Sequence, residues 1–283
     1  MRRPNGLCHD GAVSSPTDPA PVSSPAGSTA APPVDRALLD FAVDVAREAG
    51  ESTRRWFQSR DLAVDSKADG TPVTAADRHA ERLVRERIGY RFPDDGVLGE
   101  EEPETEGTSG RRWIVDPIDG TKAFTRGVPL YSTLLALDDQ HGPAVGVIVL
   151  PALGQAVYAG RGLGAWCDGE PARVSATPSL DGALLTTSSY SHWPEADLLG
   201  VKRAGCEMRT WGDGYGYALV ATGRVEAMVD HVVEVYDVAP MPVILAEAGG
   251  RFTGLAGASG AAWGSGVATN GVVHDELLTV LGR

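Results

Sequence analysis

One nonapeptide, Trp113-Ile114-Val115-Asp116-Pro117-Ile118-Asp119-Gly120-Thr121, constrains the fold more than any other stretch of the chain. Trp113 to Val115 is a short apolar run that leads into turn residues, the pattern of a buried strand. It ends in two carboxylates three positions apart, then Gly and Thr. Such a strand delivers Asp116 and Asp119 to one rim, where both can hold a hard cation. Mg²⁺ takes oxygen ligands and keeps waters and substrate phosphate in its shell. Gly120 lets backbone approach an anion closely. If the chain turns helical here, the N–H groups of Gly120 and Thr121 cradle a phosphate, and the Thr121 hydroxyl joins them. The stretch therefore predicts metal-assisted phosphate chemistry. Asp-Pro and Asp-Gly are also ordinary turn dipeptides, so the nonapeptide alone leaves a plain structural turn open.

The rest of the chain narrows the choice. With 283 residues, 42% of them hydrophobic, it can form one large domain or two closely packed ones. Its net charge of −13 argues against a nucleic-acid partner. Arg2, Arg3, Asp10 and Asp18 cancel within residues 1–33, so the acidic excess belongs to the remainder. Cys8, Cys167 and Cys206 are scattered, with no CxxC and no zinc spacing, which fits a reducing cytoplasm. No apolar run approaches the ~18 residues of a membrane span. Arg2-Arg3 lacks the apolar segment of an export signal. Residues 1–33 are rich in Pro, Ser, Ala and Gly and are expected to be a disordered extension, or an overlong start, ahead of a domain at 34–283.

Helical spacing of Leu38, Phe41, Ala42, Val45, Ala46 and Ala49 predicts an amphipathic helix over 34–57. Thr74 and Asp77 have the spacing of a capping box and open a second helix that runs to about residue 91. Asp77 is then a cap, and a carboxylate at a helix N-terminus also stays ionised, which suits a base or a ligand to a metal-held water. In Val97-Leu98-Gly99-Glu100-Glu101-Glu102 a charge run is usually a solvated face, but Glu100 follows an apolar approach and a Gly and is the acid expected to point inward. Strands are expected at 131–137 and 144–150, joined by a hairpin, then at 155–159 and 173–175, with the Gly-rich 160–169 as a break. These form an antiparallel sheet over the first half, about 34–180.

From 181 onward strands and helices alternate: strands at 183–188, 207–211, 225–230 and 267–269, helices at 195–204, 215–222, 236–248 and 275–281. Asp237 is expected to cap the 236–248 helix, with Pro240 in its first turn. Pro242 then lies too deep in that helix and predicts a distorted start.

Taken in order, Lys67…Thr74-x-x-Asp77, Gly99-Glu100-Glu101, Asp116-Pro117-Ile118-Asp119-Gly120-Thr121 and Tyr236-Asp237-x-Ala-Pro…Glu247-Ala248-Gly249-Gly250 resemble the inositol monophosphatase family from about residue 34 to the C-terminus. Tyr236 stands where Trp is commonest, and Pro242 is an added proline. The segments Asp119 to Pro129, Trp211-Gly-Asp-Gly-Tyr-Gly-Tyr217 and Ala268-Thr-Asn-Gly-Val-Val-His-Asp275 are most similar to its histidinol-phosphate phosphatase branch. The resemblance implies a layered α/β/α/β/α fold, a homodimer, and phosphomonoester hydrolysis dependent on Mg²⁺, two to three ions per site, with Mn²⁺ as a substitute. Carried over residue by residue, Glu100, Asp116 and the Ile118 carbonyl hold the first metal, and Asp116, Asp119 and Asp237 the second. Glu100 and Asp77 reach a third through water. Thr121 and Asp77 orient the attacking water and take its proton. Gly120 and Thr121 amides hold phosphoryl oxygens. Lys67 offsets charge near the third site or is a plain surface lysine.

Substrate choice rests on fewer residues. Histidinol phosphate carries an amine and an imidazole, so acids at the leaving-group end favour it over a polyol phosphate. Family position marks Asp213 and Asp230 as substrate-contacting, beside the expected substrate contacts Asp119, Gly120, Thr121 and Asp237, and Arg209, in Arg-x-x-Gly, is expected to steady the Asp213 loop or the substrate. All three of Arg209, Asp213 and Asp230 also suit ordinary loop structure. Inositol 1-phosphate is the nearest alternative substrate, with 3′-phosphoadenosine phosphate and fructose bisphosphate behind it. An aspartyl-nucleophile phosphatase of the haloacid-dehalogenase type needs Asp-x-Asp, whereas this chain has Asp-x-x-Asp. A non-catalytic phosphate binder is disfavoured because every expected ligand is present.

Overall fold

The computed structural model describes residues 31–59, 62–66, 70, 72–261 and 264–283. The readings of Lys67, of Cys8 and of the extension up to residue 30 lie outside the described residues.

The elements follow the chain as α1 (Arg36–Thr53), β1 (Val64–Ser66), β2 (Pro72–Thr74), α2 (Ala75–Arg91), β3 (Gly96–Gly99), β4 (Arg112–Asp119), α3 (Thr121–Thr125), β5 (Ser132–Asp139), β6 (Gly142–Leu150), β7 (Gln155–Gly160), β8 (Gly164–Cys167) and β9 (Glu170–Pro171). They continue as β10 (Leu184–Thr186), α4 (Glu195–Arg203), β11 (Glu207–Arg209), α5 (Asp213–Ala221), β12 (Ala227–Asp230), α6 (Val235–Val238), α7 (Met241–Ala248), β13 (Arg251–Thr253), β14 (Gly266–Thr269) and α8 (His274–Val280). Strands β3 to β9 form one seven-stranded sheet in chain order, antiparallel except for the β3–β4 pair. The second sheet has five strands in the order β11-β10-β12-β14-β13.

Alternation within the strands builds the layers. In β5 and β6, Leu135, Leu137, Val145, Val147 and Val149 pack with α1 and α2 on one face. Leu134, Ile148 and Leu150 point the other way, into a core shared with Tyr217, Leu219, Met241, Ile244 and, from the second sheet, Met228 and Ala268. A sheet covered on both faces has no polar side, which is why these strands read as unbroken apolar runs. The far face of the second sheet packs Leu185, Val229 and Val267 against Val201 of α4 and Leu277 of α8. The result is the expected α/β/α/β/α sandwich. Among the described residues no helix is long and apolar enough to cross a membrane.

Several local expectations need correction. The first helix stops at Thr53, short of 57, and the chain continues in turns. The strand expected at 173–175 does not form. Val174 N–H donates to the Ala248 carbonyl at the end of α7, so this segment pairs with a helix end and not with a strand edge. Instead β8 forms inside the Gly-rich stretch read as a break, and β9 follows directly after it. The helix expected over 236–248 is two helices, α6 and α7, with Pro240 as the N-cap of α7 and Pro242 in its first turn. Proline is tolerated there because that N–H has no intrahelical acceptor. Pro242 therefore ends one helix and starts another. Asp237 is not the cap of α6. Glu234 is, and Asp237 sits three residues in, accepting from Glu234 N–H at 2.8 Å.

Candidate active site

Strand β4 does not stop at Val115 but runs on to Asp119, with a register shift. Asp116 pairs with Leu134, and Asp119 pairs with Ser132. Three steps along β4 thus match two along β5. Residues three apart on a regular strand face opposite sides of a sheet. The extra residue at Pro117-Ile118 is a bulge, where proline is also acceptable. It turns Asp116 and Asp119 toward the same side. The carboxylate oxygens of Asp116, Asp119 and Asp237 come within 4.8 Å of one another.

Each acid is held by its own donors. Asp119 Oδ2 accepts from Ser132 Oγ at 2.6 Å and from Gly214 N–H at 2.5 Å, and neither donor uses Oδ1. Asp116 Oδ1 accepts from Ile118 N–H at 3.1 Å. Thr121 Oγ1 donates to the Ile118 carbonyl at 2.9 Å. Behind them lies the capping box foreseen at Thr74. Asp77 Oδ2 accepts from Thr74 N–H at 2.8 Å and Thr74 Oγ1 at 2.6 Å. Asp77 Oδ1 is buried with no hydrogen-bond partner.

Such crowding makes ionisation costly. Burial, then the charges of Glu100, Asp119 and Asp237, hold Asp116 well above the ordinary carboxylate range. Burial, then Asp213 and Asp237, does the same for Asp119. Burial is also the main cause that lifts Asp237 to about 7, with Glu100 and Asp213 adding to it. Burial raises Asp77 as well, against the pull of its Thr74 hydrogen bonds. A cation held in the cluster would relieve Asp116, Asp119 and Asp237 together. The donor set is all oxygen, as Mg²⁺ prefers, and Asp77, which feels the charge of Glu100, keeps a buried acceptor oxygen without a partner. The residues fit a divalent metal centre.

A cleft of about 870 Å³ opens over the acids. Its walls include Glu100, Asp116, Ile118, Asp119, Gly120, Thr121, Ser188, Gly212, Asp213 and Asp237. Asp213 opens α5 in the left-handed region, φ +54°. Its N–H donates to Ser188 Oγ at 2.8 Å, and Ser188 Oγ donates to Asp230 Oδ2 at 2.9 Å. Burial, then the neighbouring Asp230, raises Asp213 to about 6.

Three of the expected site residues stand off the cleft wall. Asp77 is buried behind it. Asp230 accepts from Ser188 N–H, Ser188 Oγ, Thr187 Oγ1 and Tyr217 OH, so its carboxylate is engaged by the protein. Arg209 is exposed at the end of β11, an edge strand, where it pairs with Glu207 at 3.2 Å and lies over Trp211. Sequence reasoning gave no part to Ser132 or Ser188, whose partners lie elsewhere in the chain, and marked Gly214 only as part of the 211–217 segment. Lys122 and Arg126 also line the cleft. Lys122 directly follows the motif threonine, and that adjacency was the available signal.

The fold, with a carboxylate cluster that fits a divalent metal, is that of a class of phosphoric monoester hydrolases, and comparison with known proteins agrees. The model of the inositol monophosphatase family matches residues 35–281. A histidinol-phosphatase of Mycobacterium tuberculosis is 44% identical over 252 residues, 86% of this chain and 97% of that protein. A histidinol-phosphatase of Chlorobaculum parvum is 42% identical over 87% of this chain and 96% of its own. Among solved structures, an IMPase of Thermotoga maritima superposes with a TM-score of 0.78 at 31% identity, covering 87% of this chain and 97% of the other. The chain belongs to the inositol monophosphatase family and is a phosphoric monoester hydrolase.

Proposed function

We propose that this enzyme hydrolyses L-histidinol phosphate to L-histidinol and phosphate, a step of histidine biosynthesis, with Mg²⁺ in the carboxylate cluster and as a homodimer. The observation that carries the substrate assignment is Asp213, a carboxylate on the cleft wall beside the Gly120 turn, with the buried Asp230 behind it. A group that brings a cationic amine compensates this paired negative charge, and a neutral polyol does not. The relatives named histidinol-phosphatase support the same reading.

Asp116, Asp119, Asp237 and Glu100 are assigned to the metals, with the Ile118 carbonyl. When bound, Mg²⁺ lowers the pKa of water and neutralises phosphoryl oxygens. Thr121 directs its hydroxyl proton to Ile118 O, so its oxygen is left to accept from the attacking water and orient it. Asp77, through Oδ1, takes the proton that water releases. The Gly120 and Thr121 N–H groups bind phosphoryl oxygen. Asp213 receives the substrate amine, and Asp230 acts through Ser188 by fixing the Asp213 backbone. Phosphate release from L-histidinol phosphate that rises with added Mg²⁺ and vanishes in EDTA is the expected result. Release that persists in EDTA would contradict the metal assignment.

A further inference from the structure

Glu81 is a fully buried carboxylate that the chemistry above does not use. It lies on α2 one turn after Asp77, so both project from the same helix face. Glu81 Oε2 accepts from Glu101 N–H at 2.8 Å. Its Oε1 accepts from Glu102 N–H at 3.1 Å and from Arg85 Nε at 2.8 Å. Two of these donors are the backbone groups immediately after Glu100. On the other side of Glu100, a Cβ added to Gly99 would overlap the Glu81 carboxylate. Glu100 is thus bracketed: the residue before it packs on Glu81, and the two after it are hydrogen-bonded to Glu81.

Arg85 extends the grip. Its guanidinium donates to the Glu102 carbonyl at 3.0 Å and to Thr105 Oγ1 at 3.2 Å. Buried N–H groups need an acceptor, but a neutral side chain could supply one. A buried ion pair carries a desolvation cost that only good geometry and further hydrogen bonds offset. Here every donor to Glu81 belongs to the Glu100 loop or to the arginine that ties that loop down.

We propose that Glu81, held by Arg85, is a positioning residue that fixes Glu100 at the metal cluster. The inference rests on the reading of Glu100 as a metal-facing carboxylate. The α2 face would then serve the centre twice, with Asp77 through a water and Glu81 through the loop backbone. Glu81→Gln keeps the size of the side chain but replaces one acceptor oxygen with an NH₂ that faces the loop N–H groups or Arg85.

The test is Mn²⁺ binding to the full chain, read from the free Mn²⁺ signal in electron paramagnetic resonance, for wild type, Glu81→Gln, Arg85→Met and Glu100→Gln. Supporting groups behind metal ligands are worth about 10-fold or more in affinity, so Glu81→Gln should weaken Mn²⁺ binding by about 10-fold. The Mg²⁺ concentration for half-maximal phosphate release should rise in step, and excess Mg²⁺ should restore kcat. Arg85→Met should weaken binding in the same direction but by less. A merely structural Glu81 would lower the melting temperature without moving the Mn²⁺ affinity. Weakened binding in Glu100→Gln with wild-type binding in folded Glu81→Gln would overturn the role of Glu81. Should Glu81→Gln fail to fold, wild-type binding in Arg85→Met would do the same. Unchanged binding in Glu100→Gln would overturn the assignment of Glu100 itself.

Discussion

Gly120 and Asp213 meet in the cleft wall, so closely that a Cβ added to Gly120 would stand 2.8 Å from Asp213 Oδ2. One residue opens the proposed phosphate-binding turn, and the other is the proposed anchor for the leaving group. Gly120 also has φ +81°, which disfavours any larger residue. Gly120→Ala should therefore strain the turn and displace the carboxylate together. A displacement of about 1 Å at a reacting centre costs on the order of 100-fold, and kcat/KM for histidinol phosphate should fall by about that much. Steady-state kinetics check this, with circular dichroism to confirm the fold. Near wild-type kcat/KM would mean that the two residues do not work as one wall.

Asp213 should act on one substrate class and not on another. Charged hydrogen bonds contribute about 1.5–3 kcal/mol, which corresponds to roughly 10- to 100-fold in binding. Asp213→Asn should raise KM for histidinol phosphate by at least about 10-fold. KM for phenyl phosphate, which has no amine, should change little. Equal increases for both substrates would remove Asp213 from substrate selection.

The raised carboxylates predict how stability depends on pH and metal. Asp116 and Asp119 lie well above the ordinary range, Asp237 at about 7 and Asp213 at about 6. In the unfolded chain each returns to about 3.9. Between those values the folded state holds more protons, so these groups lose stability as pH rises. In EDTA the melting temperature should fall from about pH 4 upward through pH 7. Mg²⁺ binds the ionised form, so its stabilising effect should be larger at pH 8 than at pH 5.5. Calorimetric scans with and without Mg²⁺ read this directly. A Mg²⁺ shift equal at both pH values would contradict the coupling.

How much of this was legible in the chain follows from how local each signal is. Asp116, Asp119, Gly120 and Thr121 are adjacent, and turn and capping chemistry act over a few residues, as the Thr74–Asp77 box also shows. Gathering Asp237 and Glu100 with them was expected from the family resemblance and needed the whole fold to display. The bulge was not legible. It depends on pairing with β5, which no window around Pro117 contains. Pro242 announced a distortion but not its form, because one proline suits either a kink or a new helix start. Ser188 and Glu81 were invisible for a different reason. Serine and glutamate are ordinary residues, and what singles these two out is the loop each one grips. Arg209 suggested a site role from its place near Asp213, yet β11 is an edge strand and carries it outward.

The most direct test of the account is phosphate release from L-histidinol phosphate and from inositol 1-phosphate, side by side, with Mg²⁺ and with EDTA. The geometry at Asp213 predicts a strong preference for histidinol phosphate, present with Mg²⁺ and abolished by EDTA. A preference for inositol 1-phosphate would contradict the substrate assignment and leave the metal cluster in place.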